Sequence, residues 1–296
     1  MKVIAALLIV YIVWGSTYLA IRFGVEFTPP YLFGCARFVA AAFILLVYGR
    51  MMGLKLPASR ADWKVIVITG VLLLVGANGF VTWAEQWVDS NQAALMVATS
   101  PLWMAGFGML GARGERLSWL SWLGLFTGFA GVAVLMGEGL LKQSAPTSAY
   151  LALIVSPIFW AAGSIYGRRH PQQCAPLMTA AMQMLVAGLL MGLIGLAAGE
   201  HHRWRWTAQT TWAWAYLTVF GSCIAYGAYY WLVHNVTPAL LGTYAYVNPA
   251  IAVFLGAWLG AEHLSTLQLI GTGVILSGVV AVTLGQRLTV KPRAAA

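Results

Sequence analysis

Arg37 stands about seven residues inside an apolar stretch, and no Asp or Glu lies deep in any comparable stretch to neutralise it. An ionised side chain at such depth costs about 2.5–3.5 kcal/mol on insertion scales unless it reaches water, an anion or backbone carbonyls. Two roles fit it: a positive group on a polar cavity, able to attract a carboxylate or phosphate, or a snorkelling arginine that caps helix ends near the surface. Pro101 and Pro249 interrupt two further apolar stretches near their middles, each beside a short polar residue, Ser100 and Asn248. A proline removes a backbone donor and frees a carbonyl, which lipid tolerates only where the helix faces protein or a polar cavity. These prolines are therefore hinge candidates, and their polar neighbours either satisfy the freed carbonyls or bind a ligand. Asn78, Gln183 and Tyr226, with Tyr229, Tyr230, Tyr244 and Tyr246, add polar atoms at similar depth. Trp14 and Trp160 lie deep enough to line a cavity or pack in a core, whereas Trp83 and Trp231 sit where interfacial anchors sit. Glu85, near the end of the third stretch, is the proton-coupling candidate, because such coupling ordinarily uses a carboxylate or histidine held in the membrane.

The elements that carry these residues follow from composition. With 60% of its 296 residues hydrophobic and only 8% charged, the chain cannot hide its apolar surface as a water-soluble domain. A bilayer core needs about 20 apolar residues per helix, and ten such stretches run through 3–21, 31–49, 64–84, 91–111, 118–136, 147–166, 175–197, 211–232, 239–260 and 266–286. The first is read as a retained helix, since no small-residue cleavage site follows it. The net charge of +9 does not gather into a basic face, so nucleic acid is not an expected partner. With the N-terminus in the cytoplasm, twelve Lys and Arg fall on the cytoplasmic side and only Arg22, Lys142, Arg203 and Arg205 outside. That bias places both termini in the cytoplasm. Cys35, Cys174 and Cys223 are scattered without metal or redox spacing and read as small apolar residues, and no metal or other cofactor is expected.

The stretches repeat. A shift of 146 lays Trp14 on Trp160, Arg22 on Arg168, and Pro30 with Arg37 on Pro176 with Gln183. A shift of 148 pairs Trp83 with Trp231 and Ser100-Pro101 with Asn248-Pro249; a shift of 147 pairs Glu115-Arg116-Leu117-Ser118 with Glu262-His263-Leu264-Ser265, and Gly124 and Gly131 with Gly271 and Gly278. Two repeats, 1–144 and 145–296, each with five spans, must lie inverted in the membrane, an architecture that builds substrate sites at the repeat interface. The expected fold is an all-α polytopic membrane protein of ten transmembrane helices in two inverted five-helix repeats.

Trp14-Gly15-Ser16, the spacing from Pro30 to Arg37, the Ala98–Leu102 run and the Glu-x-Leu-Ser turns before Gly124 and Gly271 together resemble the ten-helix EamA branch of the drug/metabolite transporter superfamily. The resemblance covers nearly the whole chain. It implies a carrier of small metabolites, with bacterial members that export amino acids and related compounds, and it leaves the substrate open. The substrate-site candidates are accordingly Trp14, Arg37, Asn78, Ser100, Trp160, Gln183, Tyr226 and Asn248. Export of an amino acid or related metabolite across the cytoplasmic (inner) membrane by alternating access leads; the alternatives are efflux of hydrophobic cationic drugs and an intramembrane enzyme. Against the first stands the lack of deep carboxylates. Against the second stands the lack of G-x-S-x-G, H-E-x-x-H or paired intramembrane aspartates, so the chain reads as a non-enzyme. No phosphate loop for an ATP-driven pump occurs either. The expected partners are a small-molecule substrate and the lipid bilayer, with room for a homodimer.

Overall fold

The computed structural model describes residues 1–88, 90–111, 114, 116–136, 145–259 and 265–289. Arg113, Glu115, Lys142, Glu262, His263, Leu264, Lys291 and Arg293, which figured in the charge and repeat arguments, lie outside the described residues.

Ten helical rods are present among the described residues. They are α1 (Lys2–Val25), α2 (Pro30–Met51), α3 (Arg60–Ala84), α4 (Ser90–Val97 and Ser100–Met109), α5 (Trp119–Met136), α6 (Thr147–Arg169), α7 (Pro176–Ala197), α8 (Ala208–Tyr216, Leu217–Tyr226 and Gly227–Asn235), α9 (Pro238–Gly242 and Tyr244–Leu259) and α10 (Thr266–Thr289). Five of them, α1, α2, α3, α6 and α7, are long and apolar enough to cross a membrane on length and composition alone. Helix is the form such segments take because lipid offers no partner to an unpaired backbone group.

Local signals set the ends alike in both halves. Pro30 and Pro176 open α2 and α7 at the first helical position, where the missing N–H costs nothing. Ser59 Oγ accepts from Asp62 N at 3.0 Å to cap α3, and Thr207 Oγ1 accepts from Thr210 N at 3.1 Å to cap α8, 148 residues later. The middle of α3, Gly70–Asn78, and the middle of α8, Leu217–Tyr226, wind as π-helix. No sequence pattern announced this winding, because the period of an almost uniformly apolar stretch cannot be read.

The packing has the pattern of two halves exchanged by a twofold axis. Helix α1 packs on α9 and on the π segment of α8, while its counterpart α6 packs on α4 and on the π segment of α3. The remaining major pairs, α2 with α7 and α5 with α10, join counterparts to each other. In α5 and α10 the glycines face one another across the axis: a Cβ on Gly124 would come within 2.7 Å of Gly278 O, and one on Gly131 within 3.0 Å of Gly271 O. Exchanging the halves turns one of these contacts into the other. The arginines obey the same rule. Arg22 of α1 donates to Val88 O beyond the end of α3 at 3.3 Å, and Arg168 of α6 donates to Val236 O beyond the end of α8. The chain is thus an all-α polytopic fold of two inverted five-helix repeats.

Candidate functional site

A cavity of about 630 Å³, counting the space open at its mouth, lies where the halves meet. Its wall is built from α1 (Trp14, Thr17, Tyr18, Ile21), the first half of α2 (Arg37, Phe38), the π segments and their flanks (Leu74, Ala77, Asn78, Val81; Gly221, Ser222, Tyr226), α4 (Val97), α6 (Ser156, Trp160) and α9 (Tyr244, Asn248). It therefore extends from mid-depth toward the end of the molecule where α1 terminates. At the opposite end the interior is packed by Leu7, Val10, Met104, Tyr230, Leu232 and Val233, all buried. Arg169 ties α6 to the α4 end there, donating to Phe107 O at 2.8 Å and to Leu110 O.

Six of the eight residues expected to meet substrate, Trp14, Arg37, Asn78, Trp160, Tyr226 and Asn248, stand on this wall. Ser100 and Gln183 do not, which corrects the expectation that they face the cavity. Ser100 Oγ donates to Val97 O at 2.6 Å, the carbonyl four residues before Pro101 that the proline leaves unbonded. Gln183 is fully buried behind Tyr226: its Oε1 accepts from the Tyr226 hydroxyl at 2.8 Å and its Nε2 donates to Thr69 Oγ1 at 2.5 Å. Asn248 joins both roles, lining the cavity while its amide faces the carbonyls of Tyr244 and Tyr11, which assigns its nitrogen as the donor to them, at 2.9 and 3.2 Å. In both halves, then, the residue before the proline bonds a carbonyl of its own helix. Pro101 begins the second segment of α4, and Pro249 lies inside the second segment of α9.

Three of the aromatics on the wall have their polar atoms engaged within the protein. Trp14 Nε1 donates to Gly221 O at 3.2 Å, Trp160 Nε1 donates to the Tyr229 hydroxyl at 2.7 Å, and the Tyr226 hydroxyl is bonded to Gln183. The rings pack against each other, with Trp14 at 5.3 Å from Trp160, 4.9 Å from Tyr229 and 5.0 Å from Tyr244 between centroids. Such mutual contacts fix ring orientation, so Trp14 and Trp160 present ring surface to the cavity with their own donors already engaged.

Against this aromatic wall, Arg37 supplies the positive charge. It is 5% exposed, and its Nε donates to Ser222 Oγ at 2.9 Å while the guanidinium lies 4.9 Å over the Phe38 ring. No acidic side chain lines the cavity among the described residues. Arg37 lines the cavity seven residues into α2 and does not lie at a helix end. Asn78 completes the polar set; its Oδ1 accepts from Thr82 at 3.4 Å. Sequence reasoning passed over Thr17, Tyr18, Ser156 and Ser222, because an isolated hydroxyl in an apolar helix ordinarily bonds its own backbone. Thr17 does so, to Trp14 O at 2.8 Å, whereas Ser156 reaches across to Ala77 O in the π segment of α3 at 3.0 Å.

Glu85 stands just beyond α3, 1% exposed, with neither carboxylate oxygen hydrogen-bonded among the described residues. It is far more enclosed than its place near a helix end suggested, since α1 and the surrounding helices cover that end.

Two inverted halves sharing a cavity that carries one cation and an aromatic wall define a helical membrane transporter. Comparison with known proteins agrees: the model of the EamA-like transporter family matches residues 1–137 and again 147–284. The chain belongs to the EamA-like transporter family. It is 44% identical over 285 residues, 96% of this chain and 91% of the relative, to YedA of Escherichia coli (strain K12), named as an inner membrane transporter. It is 21% identical to the transporter YoaV of Bacillus subtilis (strain 168), over 94% of this chain and 95% of that one. A solved crystal structure shares the fold with a TM-score of 0.79 at 22% identity, covering 97% of this chain and 98% of the other.

Proposed function

We propose that this chain is a secondary carrier that exports small carboxylate-bearing metabolites with a partly apolar or aromatic body, amino acids or close relatives, by alternating access across the cytoplasmic membrane. The observation that carries the reading is the pairing of Arg37 with ring surfaces whose own donors are engaged elsewhere. A carboxylate placed at the guanidinium gains a charge-assisted hydrogen bond, while the Trp14 and Trp160 rings take the apolar remainder. Alternating access is supported by the inverted halves, with a cavity toward one end and tight packing toward the other. With both termini cytoplasmic, as the loop charges favour, the cavity lies toward the outer face.

Reconstituted protein tests this reading. Uptake into proteoliposomes is measured for a labelled panel of amino acids, decarboxylated amines, sugars, nucleosides and a lipophilic cation, with Arg37→Gln for comparison. Saturable uptake of carboxylated compounds that Arg37→Gln loses is the expected result. Uptake of carboxylates unaffected by Arg37→Gln removes the anion-site role, and preference for the lipophilic cation turns the reading toward drug efflux.

A further inference from the structure

We infer that Glu85 is a proton-binding site through which transport is coupled to protons, an inference that rests on the carrier reading above and adds its driving ion. The carboxyl group is buried, and both oxygens lack a hydrogen-bond partner among the described residues. Its corner of the molecule is enclosed by an apolar cluster that includes Val81, Ala84 and Val88 beside it, Ala93, Ala94 and Val97 from α4, and Ala149 and Leu153 from α6. From α1 the titratable groups that face it are Arg22 and Tyr18. Helix α2 brings Tyr31 against Gly79, six residues earlier, and Asp89 lies outside the described residues.

The repeat shows that the fold does not need an acid here. Glu85 corresponds, at a shift of 148, to Val233, which is likewise buried. Arg22 is not present on account of Glu85 either, because its counterpart Arg168 makes the matching bond to Val236 O with no acid at the matching position. A carboxylate enclosed among apolar side chains without hydrogen bonds is strongly disfavoured relative to the neutral acid. The enclosed arrangement is therefore one that holds the proton.

The route out is short. Glu85 N bonds Val81 O at 3.0 Å, one helical turn back, and Val81 and Tyr18 both line the cavity. A shift of α1 that admits water at Tyr18 lets the carboxyl group pass its proton to that water. The carboxylate left behind then attracts the Arg22 guanidinium, so the protonated and ionised forms favour different placements of α1 against the end of α3.

Infrared titration of the reconstituted full chain reads the site without any substrate. The wild type is expected to retain the stretch of a protonated carboxyl group at neutral pH. Glu85→Gln should remove that band, and Glu26→Gln, at an exposed acid, should leave it. Absence of the band from the wild type, or its persistence in Glu85→Gln, overturns the inference. Transport supplies the second readout. For each panel compound the wild type takes up, an imposed pH gradient should change the rate several-fold, and Glu85→Gln should lose that response while keeping gradient-free counterflow, with partial recovery in Glu85→Asp. An undiminished gradient response in Glu85→Gln contradicts coupling at this residue. If the wild type moves no panel compound, the carrier reading fails, and the infrared result still decides proton binding.

Discussion

Among the described residues Arg37 is positioned by one hydrogen bond and one ring, and this light restraint shapes its behaviour under mutation. Hydrogen bonds to charged groups are worth about 1.5–3 kcal/mol, so Arg37→Gln is expected to reduce kcat/KM for carboxylated compounds by about 10- to 100-fold. Arg37→Lys keeps the charge without the planar fork and should fall between the two. Ser222→Ala removes the partner of Arg37 Nε and should raise KM about fivefold, as loss of about 1 kcal/mol implies, with kcat near wild type. Initial-rate uptake into proteoliposomes checks all three. At this scale the sequence located Arg37 by the cost of its depth, and Trp14 with Trp160 by their matched places in the repeat. It could not locate Ser222, since nothing in the pattern of one helix states which side chain of another will meet it. Gln183 was misplaced for a related reason: the repeat sets it opposite Arg37, yet its amide is drawn inward by Thr69 and Tyr226.

Elements are held here by close backbone approach, since lipid tails leave no hydrophobic drive between helices. A side chain on Gly124 meets Val282 N at 2.6 Å and Gly278 O at 2.7 Å, backbone atoms that cannot turn aside. Gly124→Leu and Gly278→Leu are both expected to lower stability by about 1–3 kcal/mol or more, seen as a lower midpoint of thermal unfolding in detergent. Gly106→Ala, whose Cβ would meet nothing within 4 Å, should stay within about 0.5 kcal/mol of wild type. A similar effect from Gly106→Ala as from Gly124→Leu would refute the packing argument. The repeat matched Gly124 and Gly131 with Gly271 and Gly278 in sequence, but that α5 and α10 meet through them was visible only in the packing. The ten spans were legible too, because about 20 apolar residues are the minimum a bilayer accepts. Breaks inside spans were only half legible: Pro101 marked the one in α4, whereas the break in α9 falls at Thr243, six residues before Pro249. The π segments left no trace, although they supply Asn78, Ser222 and Tyr226 to the cavity. Placing π-helix at such sites is a recurrent use of that winding.

The whole molecule is organised by the exchange of its halves, and its two differently packed ends depart from that exchange. At the end where the interior is packed, Arg168 and Arg169 fasten α6 to carbonyls of α8 and α4. At the end toward which the cavity extends, Arg22 makes the corresponding bond to Val88 O. In the carrier reading proposed above the halves exchange these roles, opening the cavity toward the other end; Arg22 and Arg168 are counterparts in that exchange, whereas the counterpart of Arg169 is Phe23, so its ties to α4 belong to the packed end alone. The sequence supplied the inversion through odd span number per repeat, but not which end is packed, because span number and repeat are the same whichever end is closed. Alternating access is the account's central claim, and paired distance measurements between spin labels test it most directly. Labels replace Phe23 and Trp87 beside Arg22 in one sample, and Leu110 and His170 beside Arg169 in another, all exposed positions. Each is examined with and without Arg169→Gln, which removes the ties of α6 to Phe107 O and Leu110 O at the packed end. The account predicts that Arg169→Gln lengthens the 110–170 distance and shortens the 23–87 distance in the same population. Movement at one end alone, or at both ends in the same sense, would contradict it.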